Sequence, residues 1–228
     1  DTGDTHCLVI GSTRSGKSRR IILPTIWTLA RAGESMVISD PKGELFKFSS
    51  GYLKRLGYKV ILIDLRDPYR GNRWNPLLSV ASALQDGDYS PASQAAWDIA
   101  HIITNQQPYY GDPIWPQSQE SLTAALILAV ASFAPDDCKH LGSVYEMLHR
   151  LGANGGDMLD DYFRSLPKGH PASSAYGVAA LSEDRLRSSI FTGTAAQLRL
   201  WADRRWYGLR PARTTTWTLP AERRQPYS

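Results

Sequence analysis

At 228 residues, with 18 Gly, 14 Pro and 10% aromatic side chains, the chain is long enough to bury a core, and it is neither collagen-like, low-complexity nor disordered. Two cysteines, and no Cys or His spacing typical of metal ligands, exclude a disulfide framework and leave no expectation of zinc. The net charge of +4 is uneven: residues 1–184 hold 17 basic and 20 acidic groups, and residues 185–228 hold nine Arg against Asp203 and Glu222.

The first element in chain order is His6–Ile10 (HCLVI), a short apolar run that reads as a buried parallel strand. It runs into GSTRSGKS at 11–18, which fits the phosphate-loop pattern G-x-x-x-x-G-K-[ST]. The residue types follow from the chemistry. Gly11 and Gly16 let the backbone curl, so that amides from Ser12, Thr13, Arg14 and Ser15 onward face phosphate oxygens. Lys17 is the catalytic candidate, reaching the β- and γ-phosphates, and the Ser18 hydroxyl is the expected Mg²⁺ ligand. The cofactors expected are therefore ATP and Mg²⁺. Arg14 has two readings, a contact with nucleotide or a neighbouring subunit, or a solvated loop side chain.

A helix is predicted from Ser18 to Ala32, kinked at Pro24 and ended by Gly33. Ser35–Ser39 (SMVIS) reads as a second strand, leading to Asp40 and the loop DPKGEL (40–45). A helix with Leu45, Phe46, Tyr52, Leu53 and Leu56 on one face follows, then a third strand at Lys59–Asp64 (KVILID). Alternating strands and helices predict a partial α/β P-loop sheet with parallel strands. Asp40 and Asp64 end strands where such sheets bind ligands, and Asp40 is the preferred nucleotide-contacting residue. Neither begins an Asp-Glu pair, so the chain is expected to bind ATP without hydrolysing it fast alone.

Residues 66–78 are polar and turn-rich. Beyond them helices are predicted near 92–107, 117–134, 143–151, 156–166 and 183–203, with Ser143 and Glu146 as a capping box. Leu186, Ile190, Leu198 and Trp201 form one stripe, read as core. The longest apolar run, Ala124 to Ala134 broken at Ser132, is about half the ~20 residues a membrane helix needs, so this piece is expected to be soluble. The predicted organisation is residues 1–77 as the N-terminal part of a nucleotide-binding domain, 78–205 as an all-α domain, and 206–228 as a basic tail. That tail is a possible start of the return to the first domain. The Arg-rich end has Arg204, Arg205 and Arg210 beside Trp201, Trp206 and Tyr207. It is open to three readings: a solvated face, a single-stranded nucleic-acid surface, and a subunit contact.

Taken together, these residues resemble the type IV coupling proteins of the TraG–TraD family, the ATPases of conjugation and type IV secretion. The likeness rests on HCLVIGSTRSGKS (6–18), ILPT (22–25), MVISDPKGEL (36–45), Val60–Pro68 and NRWNPL (72–77). Weaker support comes from DPIW (112–115) and SSIFTGTAAQLRLWAD (188–203). The resemblance implies a RecA-like core with an inserted all-α domain and a hexamer at the cytoplasmic face of the inner membrane. Its cargo would be relaxase-bound single-stranded DNA, or effector proteins, handed to a type IV secretion channel. It also implies that Gly11, Gly16, Lys17 and Ser18 are the nucleotide site, and it leaves the roles of Asp40, Lys42 and Glu44 unassigned. Family members carry upstream transmembrane helices and a downstream Asp-Glu strand, so the chain is expected to be a fragment of a membrane-anchored parent. Two alternatives stay open: a non-hydrolysing cargo-recruitment or assembly module, and another P-loop DNA translocase.

Overall fold

The structure, a computed structural model, describes residues 6–64, 66, 67, 70–72, 74–105, 111, 113–182 and 184–202, without the side chains of Asn154, Asp184 and Arg185. It divides into two units, Asp1–Asp64 and Leu65–Ser228.

In the first unit a wide π-helical turn, Ser18–Ile22, runs into α1, Leu23–Arg31. Pro24 accounts for that turn. It has no N–H to offer the Arg20 carbonyl, and its ring crowds the residue four before it, so the chain widens instead of breaking. After a stretch without regular structure comes α2, Glu44–Arg55. The small core consists of Leu23, Ile26 and Ala30 of α1 against Leu45 and Leu53 of α2, with Met36, Tyr52, Tyr58 and Val60 at its edge. The Tyr58 hydroxyl lies 3.1 Å from the carbonyl oxygen of Ala30 and 3.0 Å from that of Glu34, tying the return segment to the end of α1.

The three predicted strands do not form. Residues 6–10, 35–39 and 59–64 carry no regular secondary structure, no ladder joins them, and there is no strand among the described residues. Leu8, Ile10 and Val37 are exposed instead of buried in a sheet interior. The partial α/β parallel sheet is therefore corrected to an all-helical fold for the described residues. The physical reason is that β-branched runs favour extended backbone locally, whereas a sheet exists only through pairing with neighbours.

The second unit is built around α5, Ile114–Phe133. Every residue from Ser121 to Ala131 is buried, as expected of a helix that is apolar all round. Flanking it are α4 (Tyr89–Thr104) and α8 (Pro171–Ala180), with α3 (Leu77–Gln85), α6 (Leu141–Leu151) and α9 (Asp184–Leu198) also packed against it. The remaining α-helix described, α7 (Asp157–Ser165), rests against α8. Small side chains set the close approach. Ala92, Ala96 and Ala100 repeat every four residues on the buried face of α4, as do Ala172, Ala175 and Ala179, at three- and four-residue steps, on α8. The Ser121 hydroxyl donates to the Ala175 carbonyl at 2.5 Å. The stripe of Ile190 and Leu198, with Leu186 and Trp201 at its margin, is core as expected.

Two helices of this unit begin on histidine. The ring Nδ1 of His140 accepts the Ser143 amide at 3.1 Å, so His140 caps α6 and Ser143 lies inside it, not at its start. His170 Nδ1 accepts the Ala172 amide at 3.2 Å, which puts the ring proton on Nε2, 3.1 Å from the Ser132 hydroxyl. Ser132 in turn donates to the Leu128 carbonyl, so its oxygen is free to accept. Burial pushes both histidines below their ordinary value of 6.5; for His140 it outweighs the upward pull of its backbone hydrogen bond and of Asp137. A depressed histidine contributes stability that is complete above the unfolded value and is lost as pH falls through and below it. The urea midpoint of the chain is therefore expected to fall between pH 7.5 and 5.5. In the double variant His140→Asn, His170→Asn, whose amides still cap, it should fall less. Equal slopes for the two proteins would refute the assignment.

Candidate nucleotide-binding site

All of the predicted nucleotide-site residues, Gly11 to Ser18 and Asp40, lie in the first unit. Ser12 to Ser15 form a turn closed by the Ser15 amide on the Ser12 carbonyl at 3.2 Å. Arg14 occupies its third position with φ 65°, and it is the one non-glycine residue with positive φ among those described. That conformation normally calls for glycine and costs an L-residue about 1–2 kcal/mol, strain of a kind that collects at ligand-binding loops. Thr13 and Arg14 are exposed at the tip of the turn.

The two glycines have separate reasons. A Cβ on Gly11 would stand 2.9 Å from Ser15 Oγ and 3.3 Å from Lys17 Cδ, because both side chains fold onto it. Gly16 has φ 85°, which carries the loop into the helix. The first helical bond beyond the loop runs from the Arg20 amide to the Gly16 carbonyl at 2.8 Å. The amides of Lys17, Ser18 and Arg19 precede it and so have no partner within the helix. The Lys17 ammonium is held at the rim by the carbonyls of Gly11 and Ser12, the latter at 2.8 Å. Arg14, Lys17, Arg19 and Arg20 stand close together in a sequence with no carboxylate from residue 6 to residue 33. A tight glycine turn, unpaired amides, a positive helix end and clustered cations together fit a polyphosphate.

The loop DPKGEL completes the arrangement. Asp40 Oδ2 accepts the Phe46 amide at 2.9 Å, and the Gly43 amide donates to the Asp40 carbonyl at 3.1 Å. Gly43 takes φ 75° and Glu44 opens α2. The carboxylate of Asp40 thus caps α2, and it is Glu44 that meets the end of the 11–18 segment: Ser18 Oγ donates to Glu44 Oε1 at 2.9 Å. The sequence singled out Glu44 within its motif without giving it a role. What it lacked was the contact across 26 residues. Lys42 is exposed. Among the described residues, no three His, Cys, Asp or Glu side chains converge on one point.

Arg204, Arg205 and Arg210, with Trp206 and Tyr207, lie outside the described residues, as does Asp112 of DPIW. Arg187, another member of the basic C-terminal set, is buried in the helical unit. It meets Asp160 at 2.5 Å, the Tyr176 hydroxyl at 2.9 Å and the Gly156 carbonyl at 3.3 Å. No helix of the described residues is long and apolar enough to cross a membrane.

A family model described as type IV secretory system conjugative DNA transfer matches residues 1–207. The chain is 29% identical over 139 residues to a conjugal transfer protein TraG of Escherichia coli, covering 60% of this chain and 20% of that relative. It is 32% identical over 100 residues to the VirD4 protein of Agrobacterium fabrum (strain C58 / ATCC 33970), covering 43% of this chain and 14% of the relative. It is similarly 31% identical over 100 residues to VirD4 of Rhizobium rhizogenes. The matched stretch therefore spans between 14% and 20% of the length of these relatives. No solved structure gives a significant match.

Proposed function

The chain belongs to the type IV secretory system conjugative DNA transfer family, and we propose that it is the nucleotide-binding part of an ATP-driven coupling protein. In this reading the parent delivers relaxase-bound single-stranded DNA, or effector proteins, to a type IV secretion channel. It works as a homo-oligomer, a hexamer in the family it resembles, anchored on the cytoplasmic side of the inner membrane. The observation that carries the reading is the loop at 11–18, where a cation, unpaired amides and a helix end converge.

Each residue has a part in that reading. The amides at the helix start and the Lys17 ammonium bind phosphate oxygens, and charge-assisted bonds of this kind are the strong ones. The Ser18 hydroxyl offers an oxygen to Mg²⁺, and Asp40 holds the DPKGEL loop against α2. ATP supplies the free energy when its terminal phosphoryl is transferred to water.

The test is DNA transfer between cells. The parent protein carrying Lys17→Ala is expected to transfer DNA about 10–100-fold less often than the wild type, since one lost charge-assisted contact is worth roughly 1.5–3 kcal/mol. An immunoblot establishes that both proteins are present at equal levels. Wild-type transfer frequency with Lys17→Ala would remove ATP use at this loop from the mechanism.

A further inference from the structure

We propose that Glu44 is a positioning residue that aims the Ser18 hydroxyl at a divalent cation; this rests on the nucleotide reading above. A serine hydroxyl has one proton to donate and two lone pairs to offer. Ser18 spends its proton on Glu44 Oε1 at 2.9 Å. That fixes the rotor and leaves the lone pairs for a metal. A carboxylate acceptor also draws the O–H bond out and makes the oxygen a better donor to a cation, the role that partners outside the coordination sphere commonly play. Glu44 is itself fixed. It is the first residue of α2, behind Gly43 in its left-handed conformation, and Asp40 holds the turn through the Phe46 amide two residues on. Leu45 beside it is buried in the core of the unit. The loop 40–45 and the phosphate loop are joined through this one side-chain bond, and the half-buried position of Ser18 shields it from competition with bulk water.

The rival account is that Glu44 serves only α2, as an acid in the first turn facing the positive helix end. The two accounts separate in a nucleotide titration on this chain, using a fluorescent ADP analogue with Mg²⁺ and with EDTA. The quantity read is the ratio of the two affinities. In Glu44→Ala the ratio is expected to drop about 10–100-fold. Glu44→Gln, whose amide oxygen still accepts the hydroxyl proton, should keep most of it. The double variant Ser18→Ala, Glu44→Ala should show the same ratio as Ser18→Ala alone, because the two act as one unit. Thermal melts without nucleotide check that each variant is folded. A wild-type ratio in Glu44→Ala, an additive double variant, or a loss in Glu44→Gln as large as in Glu44→Ala overturns the role of Glu44 and leaves the nucleotide site standing. No binding by the wild-type chain, with or without Mg²⁺, overturns the nucleotide site and this proposal together.

Discussion

Replacing Arg187 with Met is expected to destabilise the helical unit by about 3–5 kcal/mol, because it strands a buried carboxylate. Asp160 Oδ1 takes the Arg187 guanidinium at 2.5 Å and the Tyr176 hydroxyl at 2.7 Å, and both ion-pair side chains are nearly buried, at 10% and 12% exposure. Burial alone would raise the Asp160 carboxyl. The hydrogen bonds from Arg187 and Tyr176 and the nearby Arg187 and Arg164 charges more than offset it, and the group sits below the usual carboxylate range. Burial pushes the Tyr176 hydroxyl up, and its bond to Asp160 adds to that against a downward pull from Arg187. The guanidinium also lies 5.4 Å from the centre of the Phe191 ring. One cluster thus ties together α7, α8 and α9.

Two further results would separate the causes. The double variant Arg187→Met, Asp160→Leu should recover most of the loss, since an apolar pair of similar volume needs no charge compensation. Tyr176→Phe should cost less, about 1.5–3 kcal/mol, since its hydroxyl bonds to both charges while the ion pair itself stays. The measurement is urea unfolding followed by far-UV circular dichroism at pH 7.5. A loss under 1 kcal/mol for Arg187→Met would place the guanidinium in solvent. Because the carboxyl is depressed, its contribution is full above its unfolded value and is lost as pH falls through the folded one. The gap between wild type and Arg187→Met should therefore close in strong acid.

Arg187 also shows where sequence reasoning ends. Counting charge placed it in a basic C-terminal set, whereas its partner, Asp160, lies 27 residues upstream on another helix. Nothing local marks that pair. The histidine caps of α6 and α8 escaped notice for a related reason: His is rare among cap residues, and only the fold turns its Nδ1 toward an amide. The helix α8 was itself missed, because PASSAYGVAA (171–180) has small side chains and no strong apolar stripe. Its packing against α5 makes it a helix. The central helix α5 was legible because most of its buried residues, Ala124 to Ala131, form one unbroken apolar run, which the sequence displays directly. The three apolar runs at 6–10, 35–39 and 59–64 misled in the opposite direction. Their β-branched residues suit a pleated, half-buried surface, but pairing depends on a neighbour that no local pattern specifies. The turn at 11–18 is legible as a pattern residue by residue, since the chemistry expected there of glycine, lysine and serine is confined to eight positions.

Those eight positions carry the second large prediction. Lys17→Ala is expected to weaken nucleotide binding by the chain at least about tenfold, taking one to two charge-assisted hydrogen bonds at roughly 1.5–3 kcal/mol each. An ammonium has three donors, and two of them rest on the carbonyls of Gly11 and Ser12. The side chain is thus already fixed beside the turn, so little ordering entropy opposes a phosphate contact. Lys17→Arg should not rescue binding: a planar guanidinium fork cannot replace a compact charge seated between two neighbouring carbonyls on a turn this tight. The Gly11→Ala variant should weaken binding less than Lys17→Ala, because its Cβ would press only on Ser15 Oγ and the Lys17 stem, side chains that can shift. The contacts of Lys17 stay within the loop, so the unfolding midpoint of Lys17→Ala should match the wild type to within about 0.5 kcal/mol, which separates lost binding from lost structure. Titration with a fluorescent nucleotide at two salt concentrations reads both affinity and charge, and the salt dependence should weaken in Lys17→Ala. Equal affinities for wild type and Lys17→Ala, with both proteins folded, would move any nucleotide away from residues 11–18.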